Sequence, residues 1–225
     1  MNRRALLRSG ALGAVVATAG CLGSLLGDEG AEHAVLGPQD DQIADSANLA
    51  YPAYGEAFPD FSLPDPFTDE RVDTTEIDSC LLVTAFYTFC PAECIPLMST
   101  FAGVQAELLD AGREADATIL AISFDPERDT VPALEEHADM MGIDYAADNW
   151  HYLRPEDDER ASEVVDEKLG IAFEPTDGTA GYDFNHAVIS YLVNLDGYVE
   201  RAYRGENLPV DGILEDLDSV LAAYE

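Results

Sequence analysis

The feature that most restricts the fold is a regular exchange of two hydrophobic periods along the chain from Phe58 onward. Leu81-Leu82-Val83-Thr84-Ala85-Phe86 is an unbroken apolar run of strand length, the pattern of a strand buried on both faces. Pro96 then opens a helix, where its missing N–H costs nothing. Leu97, Phe101, Val104 and Leu108 recur on one helical face until Gly112. Ala117 to Phe124 repeats the strand pattern, and Val131 to Met141, stopped by Gly142, repeats the helical one. Arg160 to Leu169 reads as a further helix closed by Gly170. Ala187 to Val193 reads as a strand, joined by an Asp196-Gly197 hairpin turn to Tyr198 to Tyr203. A last helix from about Val210 carries Ile213, Leu217, Val220 and Tyr224 in one stripe. Alternating strands and helices that finish strand, hairpin, strand, helix imply an α/β fold of thioredoxin-like order. A central mixed sheet is flanked by helices, with extra strands before Leu81.

Composition says where such a domain can work. The 225 residues carry 11 Lys+Arg against 45 Asp+Glu, a net charge of -34, and 47% are hydrophobic. That apolar share sustains a core, and the charge excludes general electrostatic affinity for nucleic acid. Lys168 is the only lysine. Acids spread along the chain repel one another in dilute buffer, and at about 1 M salt a Debye length of roughly 3 Å screens that repulsion. The charge reads as that of a halophile's protein.

The first 20 residues break the trend. Arg3, Arg4 and Arg8 precede the small, apolar run Ala11 to Ala19, with no acid. This is the order of a secretory signal, and it is too short for a membrane-spanning helix. Asn2-Arg3-Arg4 resembles a twin-arginine signal, and Thr18-Ala19-Gly20-Cys21 resembles a lipobox with Cys21 as the lipid acceptor. The expected organisation is therefore a signal over 1–20, a flexible acidic tether over 21–56, and one domain over 57–225. The chain is expected on the outer face of the cytoplasmic membrane, held by lipid. His33 falls in the tether and reads as a solvated histidine more readily than as a copper-collecting one.

The chemistry concentrates at Phe89-Cys90-Pro91-Ala92-Glu93-Cys94-Ile95-Pro96, between the first buried strand and its helix. Cysteines four apart at a helix start can share one side of a turn, where the positive helix end favours thiolate. Thiolates serve either metal binding or redox work. His186, at the entrance to the Ala187 strand, is the candidate third partner. Two soft thiolates and an imidazole suit Cu(I), and an added oxygen or nitrogen would complete a Cu(II) site. Zinc normally takes four ligands, and no fourth Cys or His is evident. Cys80, Met98, His137 and His151 read as core, packing, surface or structural residues.

Three stretches together resemble the Sco/SenC family. They are Cys90-Pro91-Ala92-Glu93-Cys94, the run Ser123-Phe124-Asp125-Pro126-Glu127-Arg128-Asp129-Thr130, and Asn185-His186 ahead of Tyr191-Leu192-Val193 with Asp196-Gly197. The resemblance spans about Phe58 to Glu225. It implies a membrane-tethered copper protein with Cys90, Cys94 and His186 as ligands. It also implies a role in maturing the dinuclear copper centre of a haem–copper respiratory oxidase, whose copper-site subunit would be the partner. Asp125 and Asp129 occupy the matching acidic loop, where turn formation and helix capping compete with a functional role; Asp129 is placed to cap the next helix. One position departs from the family pattern, which has proline directly after the second cysteine where this chain has Ile95.

Three functional classes follow. A copper metallochaperone would bind and pass on the ion without catalysis. A thiol–disulfide oxidoreductase would use the Cys90–Cys94 pair to reduce the cysteines of the oxidase copper site. Against general reductase chemistry stand the Cys-x-x-x-Cys spacing and the lack of any proline from Tyr182 to Leu192. A peroxide-reducing redoxin would need a peroxidatic motif that is missing.

Overall fold

The computed structural model describes residues 32–178 and 181–225; the signal sequence and Cys21 lie outside the described residues. Strand β1 (Ser62–Asp65) pairs antiparallel with β2 (Glu70–Asp73) in a small separate sheet. The main sheet has five strands: β3 (Cys80–Phe86), β4 (Ala117–Ser123), β5 (Trp150–Leu153), β8 (Ile189–Val193) and β9 (Val199–Arg204), in the order β5-β4-β3-β8-β9. β3, β4 and β5 run parallel, whereas β8 is antiparallel to both β3 and β9. Every residue of β3, β4 and β8 is buried, as unbroken apolar runs require of strands covered on both faces. The mixed α/β architecture matches the sequence reading.

Helix α1 (Cys94–Asp110) buries Leu97, Met98, Phe101, Val104 and Leu108 against that sheet. It ends where Gly112 takes φ +66° and Arg113 N–H reaches the Leu108 carbonyl. α2 (Val131–Met141) ends likewise at Gly142, φ +72°. α3 (Asp158–Ala161) continues as a π-wound stretch, Ser162–Lys168. α4 (Val210–Leu221) buries Ile213, Leu217 and Val220. Tyr224, assigned to the same stripe, lies past the helix end and donates instead to Asp196.

Three strands are absent from the sequence reading. β5 is four residues long, too short to show a period. β6 (Phe173–Gly178) and β7 (Gly181–His186) form an antiparallel hairpin outside the main sheet. Their polar residues and Pro175 suit the half-exposed strands of such an arm. The strand expected from Ala187 starts at Ile189, and His186 closes β7.

Residues 32–56, expected within a flexible tether, are instead packed on the domain. Ala53 and Tyr54 are buried. The buried Glu200 carboxylate accepts the N–H groups of Val35 at 2.8 Å and Leu36 at 2.8 Å, and Asn194 Nδ2 at 2.6 Å. His33 stacks on Tyr198 with ring centroids 4.2 Å apart, so it is not a free linker side chain. A Cβ on Gly170 would lie 2.2 Å from the Ala50 carbonyl oxygen, so only glycine admits this close approach. The sequence shows few large apolar groups here because the strap is held mainly through its backbone. Glu200→Ala should cost about 3 kcal/mol, since three donors lose a charged acceptor. It should also speed proteolysis within residues 38–52; an unchanged cleavage rate would refute the latch.

Candidate metal centre

Cys90 lies in the loop after β3, Cys94 is the first residue of α1, and His186 is the last of β7. Topology therefore brings the junction that carries both cysteines and the distant end of β7 together at one end of the sheet. The two sulfurs and an imidazole nitrogen all lie within 4.8 Å of one another. Cys94 Sγ is 4.0 Å from His186 Nε2. His186 Nδ1 is 3.0 Å from the Ala187 carbonyl oxygen. A carbonyl only accepts, so Nδ1 carries a proton and Nε2 is the nitrogen presented to the sulfurs. Cys90 and Cys94 are free thiols, nearly buried at 6% and 2% exposure.

The two sulfurs differ electrostatically. Hydrogen bonding from Cys94 holds Cys90 far below the usual thiol range, at about 3, against the opposing effect of burial. His186 and the backbone N–H groups of Ala92 and Cys94 act in the same direction. The Cys94 N–H, 3.3 Å from Cys90 Sγ, is the start of α1, so the helix end does what its polarity requires. Cys94 is pushed well above its ordinary value by that same pairing and by burial. Burial alone would lower His186, but the Cys90 sulfur and the Ala187 carbonyl outweigh it and the net direction is up. The free site is thus a thiolate, a thiol and an imidazole sharing protons.

An aromatic shell packs against the imidazole of the site. His186 packs on Tyr87 at 6.1 Å and on Phe124 at 5.2 Å between centroids. Phe124 stacks on Phe173 at 4.9 Å and meets Phe184 edge-on at 5.3 Å. Spacing alone could not reveal this shell, because its rings come from four separate segments. Glu93, whose carboxylate oxygen is 4.0 Å from Cys90 Sγ, also escaped the sequence reading.

The acidic loop supports the site without entering the ligand group. Asp129 is fully buried and accepts from Thr88 N–H at 3.0 Å, Thr88 Oγ1 at 2.6 Å and Ser123 Oγ. It therefore holds the backbone two residues ahead of Cys90 and does not cap α2, whose N-cap is Thr130. The aspartate turns inward because those three donors outbid a helix end already open to water. Asp125 accepts from Tyr182 Oη at 2.8 Å and pairs with Arg128. Ile95 is 47% exposed in the first turn of α1, which starts at Cys94 despite the missing proline. Cys80 and Met98 are buried in the core. His137 is also buried, bonded to Tyr152 Oη at 2.9 Å, and His151 faces Asp65 at 2.8 Å.

Burial raises the Asp129 carboxyl from 3.8 to about 6. The folded state then holds the proton more tightly than the unfolded one. Stability from this group is fully present below about pH 4 and is lost as pH rises through about 6. The loss is on the order of 2–3 kcal/mol. Asp129→Asn should flatten that segment of a denaturation-versus-pH curve, and identical slopes in the two proteins would refute the assignment.

A thioredoxin-like domain with a Cys-x-x-x-Cys pair at its strand-to-helix junction and a histidine from a satellite hairpin defines the class. The chain belongs to the SCO1/SenC family, whose profile matches residues 54–222. Among solved structures, it resembles a SCO1/SenC family lipoprotein from Bacillus anthracis (18% identity, 77% of this chain and 96% of that one, TM-score 0.62). It also resembles BsSco, described as a Sco-family cytochrome c oxidase assembly protein with a disulfide switch (23%, 77% and 95%, 0.61). A third is copper-bound ScoI from Arabidopsis thaliana (20%, 74% and 99%, 0.59). No curated protein matches the chain.

Proposed function

We propose that this chain handles copper in cytochrome c oxidase assembly, with Cys90, Cys94 and His186 as its ligands. The observation that carries this reading is the convergence of two sulfurs and one imidazole nitrogen within 4.8 Å. The donor set fits a soft ion, as Cu(I) is, and Cu(II) could be held with one further oxygen or nitrogen donor. Copper-bound relatives from Arabidopsis thaliana and Bradyrhizobium japonicum support it. Copper is cargo here: three donors leave room for an incoming cysteine of the acceptor, and Cys94 can regain its proton as the ion leaves. The acceptor is the copper-site subunit of the oxidase.

A specific observation favours a second activity of the same pair. Cys90 is held as thiolate beside a protonated Cys94. In that state Cys90 can attack an acceptor disulfide and release one acceptor sulfur as thiolate. Cys94, passing its proton to that thiolate, can then displace the mixed disulfide and free the second acceptor sulfur. The acceptor gains two electrons, and Cys90 and Cys94 are left as a disulfide. The two readings separate when copper-loaded protein meets a reduced acceptor domain and copper-free protein meets an oxidised one. Delivery predicts copper transfer in the first mixture; reduction without any transfer would assign the chain to the reductase role.

The anchoring belongs to the same proposal. Lipid on Cys21 would tether the domain at the outer face of the cytoplasmic membrane, and the acidic surface fits a salty exterior. Cys21→Ala should release the protein from the membrane fraction. The midpoint of thermal unfolding should rise with KCl toward about 1 M; retention at the membrane or a flat salt response would reject the respective claim.

A further inference from the structure

His186 reaches the cysteines on an arm that the main sheet does not hold. β6 and β7 form their own two-stranded sheet. Ring packing holds its base, since Phe173 and Phe184 lie against Phe124 and Tyr87. Further along β7, Arg128 supplies a polar fixture. Its Nη1 donates to the Tyr182 carbonyl at 2.7 Å, and its guanidinium carbon lies 3.7 Å from the Tyr182 ring centroid. Tyr182 Oη and Arg128 Nε both bond to Asp125. Asp125, Arg128 and Tyr182 therefore form a closed triangle across the acidic loop and the arm. The Arg128–Asp125 pair is largely out of water, with side chains 15% and 2% exposed.

The same guanidinium lies 5.1 Å from the centroid of Phe89, the residue before Cys90. One side chain thus touches both ligand-bearing segments. Only a planar fork can serve Asp125 and the Tyr182 carbonyl while stacking on a ring. Arg128 Nη2 is buried and has no hydrogen-bond partner among the described residues.

We infer that Arg128 is a positioning residue that fixes His186 over the cysteine pair, so that histidine ligation depends on this arginine. The inference rests on the copper reading above. Arg128→Lys keeps a cation for Asp125 but loses the fork and the full stack. It should weaken Cu(II) binding about tenfold, the usual effect of disturbing a ligand's outer support. It should also diminish the imidazole nitrogen hyperfine coupling in electron paramagnetic resonance. In a His186→Ala background the same substitution should change affinity less than about twofold, because the ligand it positions is gone. In the copper-free protein, amides 181–186 should exchange hydrogen faster while β3 and β4 stay unchanged.

A general structural role would instead lower affinity equally in both backgrounds, and that result overturns the proposal. Retention of native affinity and nitrogen coupling in Arg128→Lys overturns it as well. Copper bound by the native chain without any imidazole coupling would refute the ligand reading itself, and this inference with it.

Discussion

Replacing either Cys90 or Cys94 by serine should weaken Cu(I) binding on the order of a thousandfold, about 4 kcal/mol. The reason is chemical softness. A serine hydroxyl is a hard, neutral donor that does not ionise near neutrality, whereas each cysteine offers a polarisable sulfur. The geometry should survive, because serine differs from cysteine only in a slightly smaller oxygen in place of sulfur and Cys94 sits in a helix anchored by Leu97, Met98 and Phe101. Cys90→Ser removes the sulfur that accepts the Cys94 N–H. Cys94→Ser removes the one that faces His186. A competition titration against a Cu(I) chelator, with unfolding curves as a control, reads the effect. Less than tenfold weakening in both variants would show that the ion sits elsewhere.

The second large effect concerns the thiols without metal. At pH 7 Cys90, held at about 3, is almost wholly thiolate. Cys80, pushed up to about 12 by burial with the Glu200 and Asp116 charges nearby, is ionised to roughly one part in 10⁵. Low basicity costs Cys90 some nucleophilicity, yet its advantage over Cys80 should still exceed about a hundredfold. Iodoacetamide followed by peptide mass mapping should label Cys90 first, with a rate that stays flat between about pH 5 and 8. Labelling that rises tenfold per pH unit over that range would show an ordinary thiol. Preloading with copper should protect Cys90 and leave Cys80 unchanged.

Much of this was legible in the sequence. The buried strands announced themselves because both faces are covered, and α1 and α2 because glycine at positive φ marks their ends. Cys90 and Cys94 stood out because four-residue spacing at a helix start has few structural reasons to exist. His186 needed the Cys90–Cys94 pair beside its position at the same end of the sheet, since a lone histidine is weak evidence. What stayed hidden was whatever depends on contacts between distant segments. The hairpin that carries His186 is polar and half exposed, so it has no strong period. The strap over residues 32–56 reads as solvated because Glu200 grips its backbone, not its side chains. Asp129 looked like a helix cap because its local neighbours suit one. Only the fold shows Thr88 and Ser123 turned toward it.

The most direct measurement is X-ray absorption at the copper edge of the reduced domain loaded anaerobically, beside Cys90→Ser, Cys94→Ser and His186→Ala. The expected result is one copper per chain, bound by two sulfurs and one imidazole nitrogen, with each variant missing the corresponding scatterer. A native spectrum built only from oxygen and nitrogen donors, or one unchanged by all three substitutions, would contradict copper binding at this site.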